Sequence, residues 1–224
     1  MHATRILAIR HGETAWNAAH RLQGHTDIPL HARGRAQAQA VASALTGDEG
    51  GAGGEAIAAV YASDLARAFD TGRAIAEAAH APITAVPGLR ERSFGAWEGR
   101  SFADLRVQFP DEAERWRRRD PDWAPPGAGE NLLQFRERIS QVVQGLAARH
   151  LGEQIAIVTH GGVLDVLYRL ATRLGLQAPR TWEMNNAAIN RLLWTPEGGF
   201  TLVGWNDARH LEEALDLEIG DDAR

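Results

Sequence analysis

Ile6-Leu7-Ala8-Ile9-Arg10-His11-Gly12-Glu13-Thr14 decides how this 224-residue chain is read. Four consecutive apolar residues suit a strand buried on both faces. That strand ends in a cation, an imidazole and a glycine, so it hands two chemically able side chains to a tight loop at the sheet edge. The pattern recurs where Ile155-Ala156-Ile157-Val158 runs into Thr159-His160-Gly161-Gly162. Two buried strands, each followed by a histidine and a glycine, point to one site with two imidazoles.

Around these strands the chain alternates strand-like and helix-like stretches. Strands are predicted over 5–9, 58–62, 83–86 and 154–158, and helices over 34–45, 65–79, 131–150 and 163–174. Residues 190–195 and 200–205, joined by Pro196-Glu197-Gly198-Gly199, read as a hairpin. The alternation predicts an α/β three-layer sandwich, its mostly parallel sheet flanked by helices. In such sheets ligands bind beyond the carboxyl ends of the strands, where both histidine loops lie. The five glycines between Gly47 and Glu55 suggest a mobile loop. That cluster lacks a Gly-Lys-Ser/Thr ending and precedes a strand, so it is no phosphate loop.

Residues 92–130 depart from the alternation, with Trp97, Trp116, Trp123, four prolines and the run Arg115-Trp116-Arg117-Arg118-Arg119. They read as a small cap insertion over the site, within one domain spanning 1–224. Trp97, Trp116, Arg117 and Trp123 are expected to select the substrate, although the arginine run suits a solvated helix face better than a substrate grip. The acidic stretch after His210 reads as a solvated end.

Composition narrows the classes. With 24 Lys+Arg against 29 Asp+Glu, the net charge of −5 argues against a general nucleic-acid binder. The absence of cysteine excludes disulfides, thiolate nucleophiles and cysteine-ligated zinc. No secretory h-region and no bilayer-length apolar run is visible, so a cytoplasmic protein with no membrane partner is expected.

Imidazoles and arginines together suit phosphoryl chemistry. A neutral imidazole attacks phosphorus, and guanidinium matches phosphoryl oxygens with bidentate hydrogen bonds. Arg10 adjoins His11, and the loop Ala62-Ser63-Asp64-Leu65-Ala66-Arg67 supplies Arg67. Ser63 or Asp64 is placed to cap the helix that carries Arg67. Glu91, within Leu89-Arg90-Glu91-Arg92-Ser93-Phe94-Gly95-Ala96-Trp97-Glu98-Gly99, is the best proton donor to a leaving alkoxide, with Glu98 as the competitor. Flanking Arg90 and Arg92 lower a carboxyl pKa, whereas burial and bound phosphate raise it. No His-Glu-x-x-His helix is present, and the cations occupy a metal's electrostatic role, so neither metal nor cofactor is expected.

Arg-His-Gly-Glu-Thr, Ser-Asp-Leu-x-Arg-Ala, Glu-Arg-x-Phe-Gly-x-Trp-Glu-Gly and Thr-His-Gly-Gly, in that order, resemble the histidine phosphatase superfamily, which includes the cofactor-dependent phosphoglycerate mutases. The resemblance runs from Arg5 to about Trp205. It implies that His11 is phosphorylated, that Arg10, Arg67 and His160 hold the phosphoryl group, and that Glu91 donates a proton and later activates water. It also assigns substrate contacts to Asn17, Gln23, Gly24 and Gly161. The chain departs from the common pattern at His31, where a helix-capping threonine is usual, and at Asn131, where serine is usual.

The resemblance implies a phosphatase acting on a small phosphomonoester. A mutase is the runner-up, supported by Trp116-Arg117-Arg118. Its long insertion is missing, because Pro125-Pro126 passes directly to Gly127-Ala128-Gly129-Glu130-Asn131-Leu132. A shorter cap admits water, the phosphatase's second substrate. An idle phospho-ligand binder would be expected to lose His11 or Glu91, and both are present. Many superfamily members are dimers, so a homodimer stays open by analogy.

Overall fold

The computed structural model describes residues 2–47 and 55–212. Most of the glycine-rich loop and nearly all of the acidic end therefore lie outside the described residues. Six strands form one sheet: β1 (Thr4–Arg10), β2 (Ile57–Ala62), β3 (Ile83–Ala85), β4 (Gln154–Thr159), β5 (Ile189–Thr195) and β6 (Gly199–Asp207). Their order is β3-β2-β4-β1-β5-β6. β1 to β4 run parallel, and the β5–β6 hairpin is antiparallel. The predicted mostly parallel sheet and its hairpin are both present.

Strand alternation explains the continuous apolar runs. Ile6, Ala8, Ile155 and Ile157 face one layer, packed with Phe135, Ile139, Val163 and Leu167. Those partners come from α6 (Leu132–Ala147) and α7 (Gly161–Thr172). Leu7, Ile9, Ala156 and Val158 face the other layer, with Val41, Leu45 and Ile75. Those partners come from α2 (Ala32–Thr46) and α3 (Ala66–Ala79). Both faces are covered, so the central positions of these strands are apolar, and the buried polar residues at their ends, Thr4, Gln154 and Thr159, each hydrogen-bond a backbone carbonyl. Each fully buried Ile, Leu or Val contributes about 1.5–3 kcal/mol.

His31 performs the capping role of the residue it replaces. Its Nδ1 accepts the Gly34 N–H at 3.1 Å, while Nε2 donates to Glu13 Oε1 at 2.9 Å. Asn131 likewise caps α6, with Gln134 completing a reciprocal capping box.

A short α1 (Ala15–Ala18) precedes α2, and residues 92–130 hold α4 (Phe102–Gln108) and α5 (Pro110–Arg117). They enclose a small core of Trp97, Leu105 and Trp123. Trp97 and Trp123 are buried there, which corrects the expectation that they select substrate. Their rings are spent holding the segment together, 4.9 Å apart. No described helix is long and apolar enough to cross a membrane.

Candidate active site

The sheet register sets the centre of the site. β1 and β4 pair Arg10 with Thr159, so the next residues, His11 and His160, emerge side by side. Their rings lie 5.1 Å apart, edge to face. The His11 N–H extends the ladder by donating to Thr159 O at 2.9 Å.

His11 is almost fully buried, and its Nδ1 lies 2.7 Å from the Gly12 carbonyl. A carbonyl only accepts, so Nδ1 carries the proton. Burial, then Arg67 and Arg10, holds the His11 pKa well below the usual 6.5. The ring is therefore neutral at pH 7, and the lone pair sits on Nε2. His11 lines the cavity described below. His160 is buried and its pKa lowered by the same burial and by Arg67; its Nε2 contacts Ser63 Oγ at 2.9 Å.

Two guanidiniums frame the imidazoles. Arg10 donates to Met184 O at 2.5 Å. Arg67, fully buried, donates to Gly24 O at 2.8 Å and Thr26 O at 2.9 Å. The Nε of each is buried without a protein partner, leaving a donor for an anion. Burial disfavours both charges, an effect that the nearby Glu91 carboxylate opposes.

The expected cap of α3 is corrected. Its N-cap position is Leu65, which offers no side-chain acceptor. Asp27, from a distant loop, takes the Ala66 N–H at 2.8 Å. Ser63 serves His160 instead, and Asp64 forms a bidentate pair with Arg90 at 2.7 and 2.6 Å.

Glu91 sits beyond β3. Its Oε1 accepts the Arg92 N–H at 2.9 Å, and its Oε2 accepts the Gly162 N–H at 3.0 Å. A side chain at Gly162 would collide with Glu91 Oε1, so that glycine makes room for the acid. Neither flanking guanidinium bonds the carboxylate: Arg90 pairs with Asp64, and Arg92 reaches the carbonyls of Glu130 and Trp123.

Glu98 has a different task. It accepts the backbone N–H groups of His25, Thr26 and Phe94 and the Thr26 hydroxyl, at 2.7–3.1 Å. These bonds fix the turn at Gly24, whose φ of +53° suits only glycine at low cost and where a Cβ would strike Glu98.

Arg10, His11, Arg67 and Glu91 share one cavity of about 1110 Å³ with Asn17, Gln23, Gly24 and Gly161. Asn17 Oδ1 is turned to the Thr14 N–H at 3.1 Å, which leaves its amide N–H groups for a ligand. His160 stands just behind the lining. Trp116 and Arg117 do reach the cavity. Sequence reasoning missed Gly162, His25, which donates to Glu91 O at 2.9 Å, and Asn186, which donates to His11 O at 2.8 Å. It also missed the wall formed by residues 176–185. Gly162 stands in the Thr-His-Gly-Gly motif, which shows its glycine but not its acidic partner; His25 and Asn186 carry no local signal, because each acts across more than sixty residues of chain. Among the described residues, no cluster of three His, Asp or Glu side chains is disposed to hold a metal ion.

A family model described as the histidine phosphatase superfamily (branch 1) matches residues 6–208. The chain belongs to the histidine phosphatase superfamily. Within it, the chain is 35% identical to a metal-independent phosphoserine phosphatase of Arabidopsis thaliana, over 98% of this chain and 88% of that protein. It is 34% identical to phosphoglycerate mutase-like protein 4 of the same plant, over 96% and 90%. The structure of Bacillus stearothermophilus YhfR superposes with a TM-score of 0.82 at 29% identity, covering 93% and 99% of the two chains. The span shared with the superfamily contains all four motifs and every residue of the cavity floor.

Proposed function

We propose that this histidine phosphatase hydrolyses a small phosphomonoester through a phosphohistidine on His11. The observation that carries the reading is the His11 Nδ1–H···O=C bond to Gly12, which leaves a neutral Nε2 lone pair beside Arg10, Arg67 and His160. Nε2 forms a bond to phosphorus as the ester P–O bond breaks. Arg10, Arg67 and His160 hold the phosphoryl oxygens, with each charge-assisted hydrogen bond worth about 1.5–3 kcal/mol. Glu91 gives its proton to the departing alkoxide. Water then attacks the phosphohistidine and passes its proton to Glu91, and phosphate leaves.

Hydrolysis is favoured over mutase transfer because the segment 125–130 is short and exposed arginines, not an added lid, rim the cavity. A mutase must keep water from its phosphoenzyme. The cap at 92–130 is read as part of one working domain. The protein is read as cytoplasmic, free of nucleic acid and membrane partners, with a homodimer as the open alternative to a monomer. Asn17, Gln23, Gly24 and Gly161 are read as substrate contacts.

The deciding experiment measures phosphate release from a phosphomonoester panel alongside interconversion of 3- and 2-phosphoglycerate primed with the bisphosphate. Phosphate release is expected to dominate. Interconversion faster by about a hundredfold, or roughly 2.7 kcal/mol in barrier, establishes the mutase instead.

A further inference from the structure

The charge of the cavity opposes the charge of the chain. The protein carries a net −5. Its cavity is lined by eight arginines against three acids, Glu91, Asp165 and Glu183. A phosphoryl dianion offsets two of the five surplus charges. Most of the remaining cations already have partners. Arg117 and Arg118 share Glu114, Arg119 pairs with Asp165 at 2.6 Å, and Arg21 donates to Gly99 O at 3.0 Å.

Arg180 differs. It lines the cavity but makes no hydrogen bond or ion pair among the described residues. It lines the same cavity as Arg10 and Arg119, and its field disfavours the charges of both. The segment that carries it is held firmly. Met184 O is bound by Arg10, Leu176 O by Arg119, and Trp182 stacks on Tyr168 at 3.9 Å. A guanidinium presented by a fixed wall among like charges is stabilised when an anion arrives.

We propose that Arg180 is a specificity residue for a second anionic group of the substrate, remote from the phosphoryl that reacts. The substrate class is then a phosphomonoester bearing a carboxylate or a second phosphate. This inference rests on the phosphatase reading and narrows it.

A matched pair tests it. 3-Phosphoglycerate and glycerol 3-phosphate share a skeleton and differ in a carboxylate against a hydroxymethyl group. Fructose 1,6-bisphosphate against fructose 6-phosphate is the second-phosphate arm. Phosphate release from each is measured for the wild type and Arg180→Gln, with p-nitrophenyl phosphate as reference. In at least one arm the wild type should favour the doubly anionic member by about tenfold or more in kcat/KM. Arg180→Gln should cut that preference by about 3–10-fold, mainly through KM, as loss of a charged hydrogen bond from an exposed guanidinium allows. Added salt should erode it in the wild type. The arm that responds identifies the anion. No preference in either arm, or a preference that Arg180→Gln leaves intact, overturns the proposal while the phosphatase reading stands. No phosphate release from any substrate, p-nitrophenyl phosphate included, removes the phosphatase reading itself.

Discussion

Ser63 Oγ lies 2.9 Å from His160 Nε2, with both residues fully buried. The Leu65 N–H reaches the same hydroxyl oxygen at 3.4 Å, which leaves the Ser63 proton free to go to His160. Nε2 then accepts, and the ring proton resides on Nδ1, which has no protein partner. His160 thereby offers an Nδ1–H donor while uncharged, as the proposed phosphoryl contact requires.

Ser63→Ala should release this choice of tautomer. The expected loss in kcat is about 2–10-fold, the worth of one neutral hydrogen bond. Nitrogen-15 spectra of the His160 ring should report a shift away from the Nδ1–H form. An unchanged spectrum together with wild-type kcat would show that Ser63 is only filling space.

His11→Ala should abolish turnover, because no second lone pair faces the Arg10–Arg67 pair in the same way. Rapid trapping of the wild type with substrate, avoiding acid, should place phosphate on His11. Label on another side chain contradicts the assignment.

The depressed histidines set the pH response. Protonation of His11 would occupy Nε2, so the acid limb of kcat/KM should fall below pH 6.5, the ordinary imidazole value. Stability follows the same sign. Between the folded value and about 6.5 the unfolded chain binds more protons at His11 and His160, so stability is lost as pH falls through that window. Each histidine contributes up to about 1.4 kcal/mol per pH unit. Urea melts at pH 7.5 and 5.5 test this; a midpoint that rises on acidification contradicts it.

Glu91→Gln and Glu98→Gln should separate cleanly. The first should slow alkyl phosphates by about 10²–10⁴-fold and p-nitrophenyl phosphate far less, since p-nitrophenolate leaves without a proton. The second should lower the unfolding midpoint, because Glu98 holds four donors around the Gly24 turn. Equal losses on both substrates in Glu91→Gln would move the acid elsewhere.

The core of the site was legible because strand periodicity and a histidine–glycine pair are both local. β1 and β4 carry their burial in their own residues, and their ends carry His11 and His160. Asp27, Asn186 and the wall around Arg180 were not legible. Each reaches its partner across a long stretch of chain, so nothing next to it in sequence records the contact. Ser63 misled for the opposite reason. Serine before a helix is a strong local signal for a cap, and tertiary contact with His160 overrode it. The cap tryptophans misled too, since burial among themselves and exposure to a ligand leave the same mark in a sequence.

The histidine proposed to carry the phosphoryl group is itself part of the sheet ladder. The His11 amide bonds Thr159 O, and β1 is flanked by β4 and β5 at the centre of the sheet. Hydrogen exchange at His11 therefore reports global unfolding, whereas α4 and α5 rest on the small core around Trp97, Leu105 and Trp123 and open at lower cost. On gentle denaturation the cap should fray while the imidazole pair stays in register. The enzyme then loses Trp116 and Arg117 from the cavity rim before it becomes inactive: the wall that carries Arg180 stays tied to Arg10, and phosphorus chemistry survives until the sheet itself comes apart.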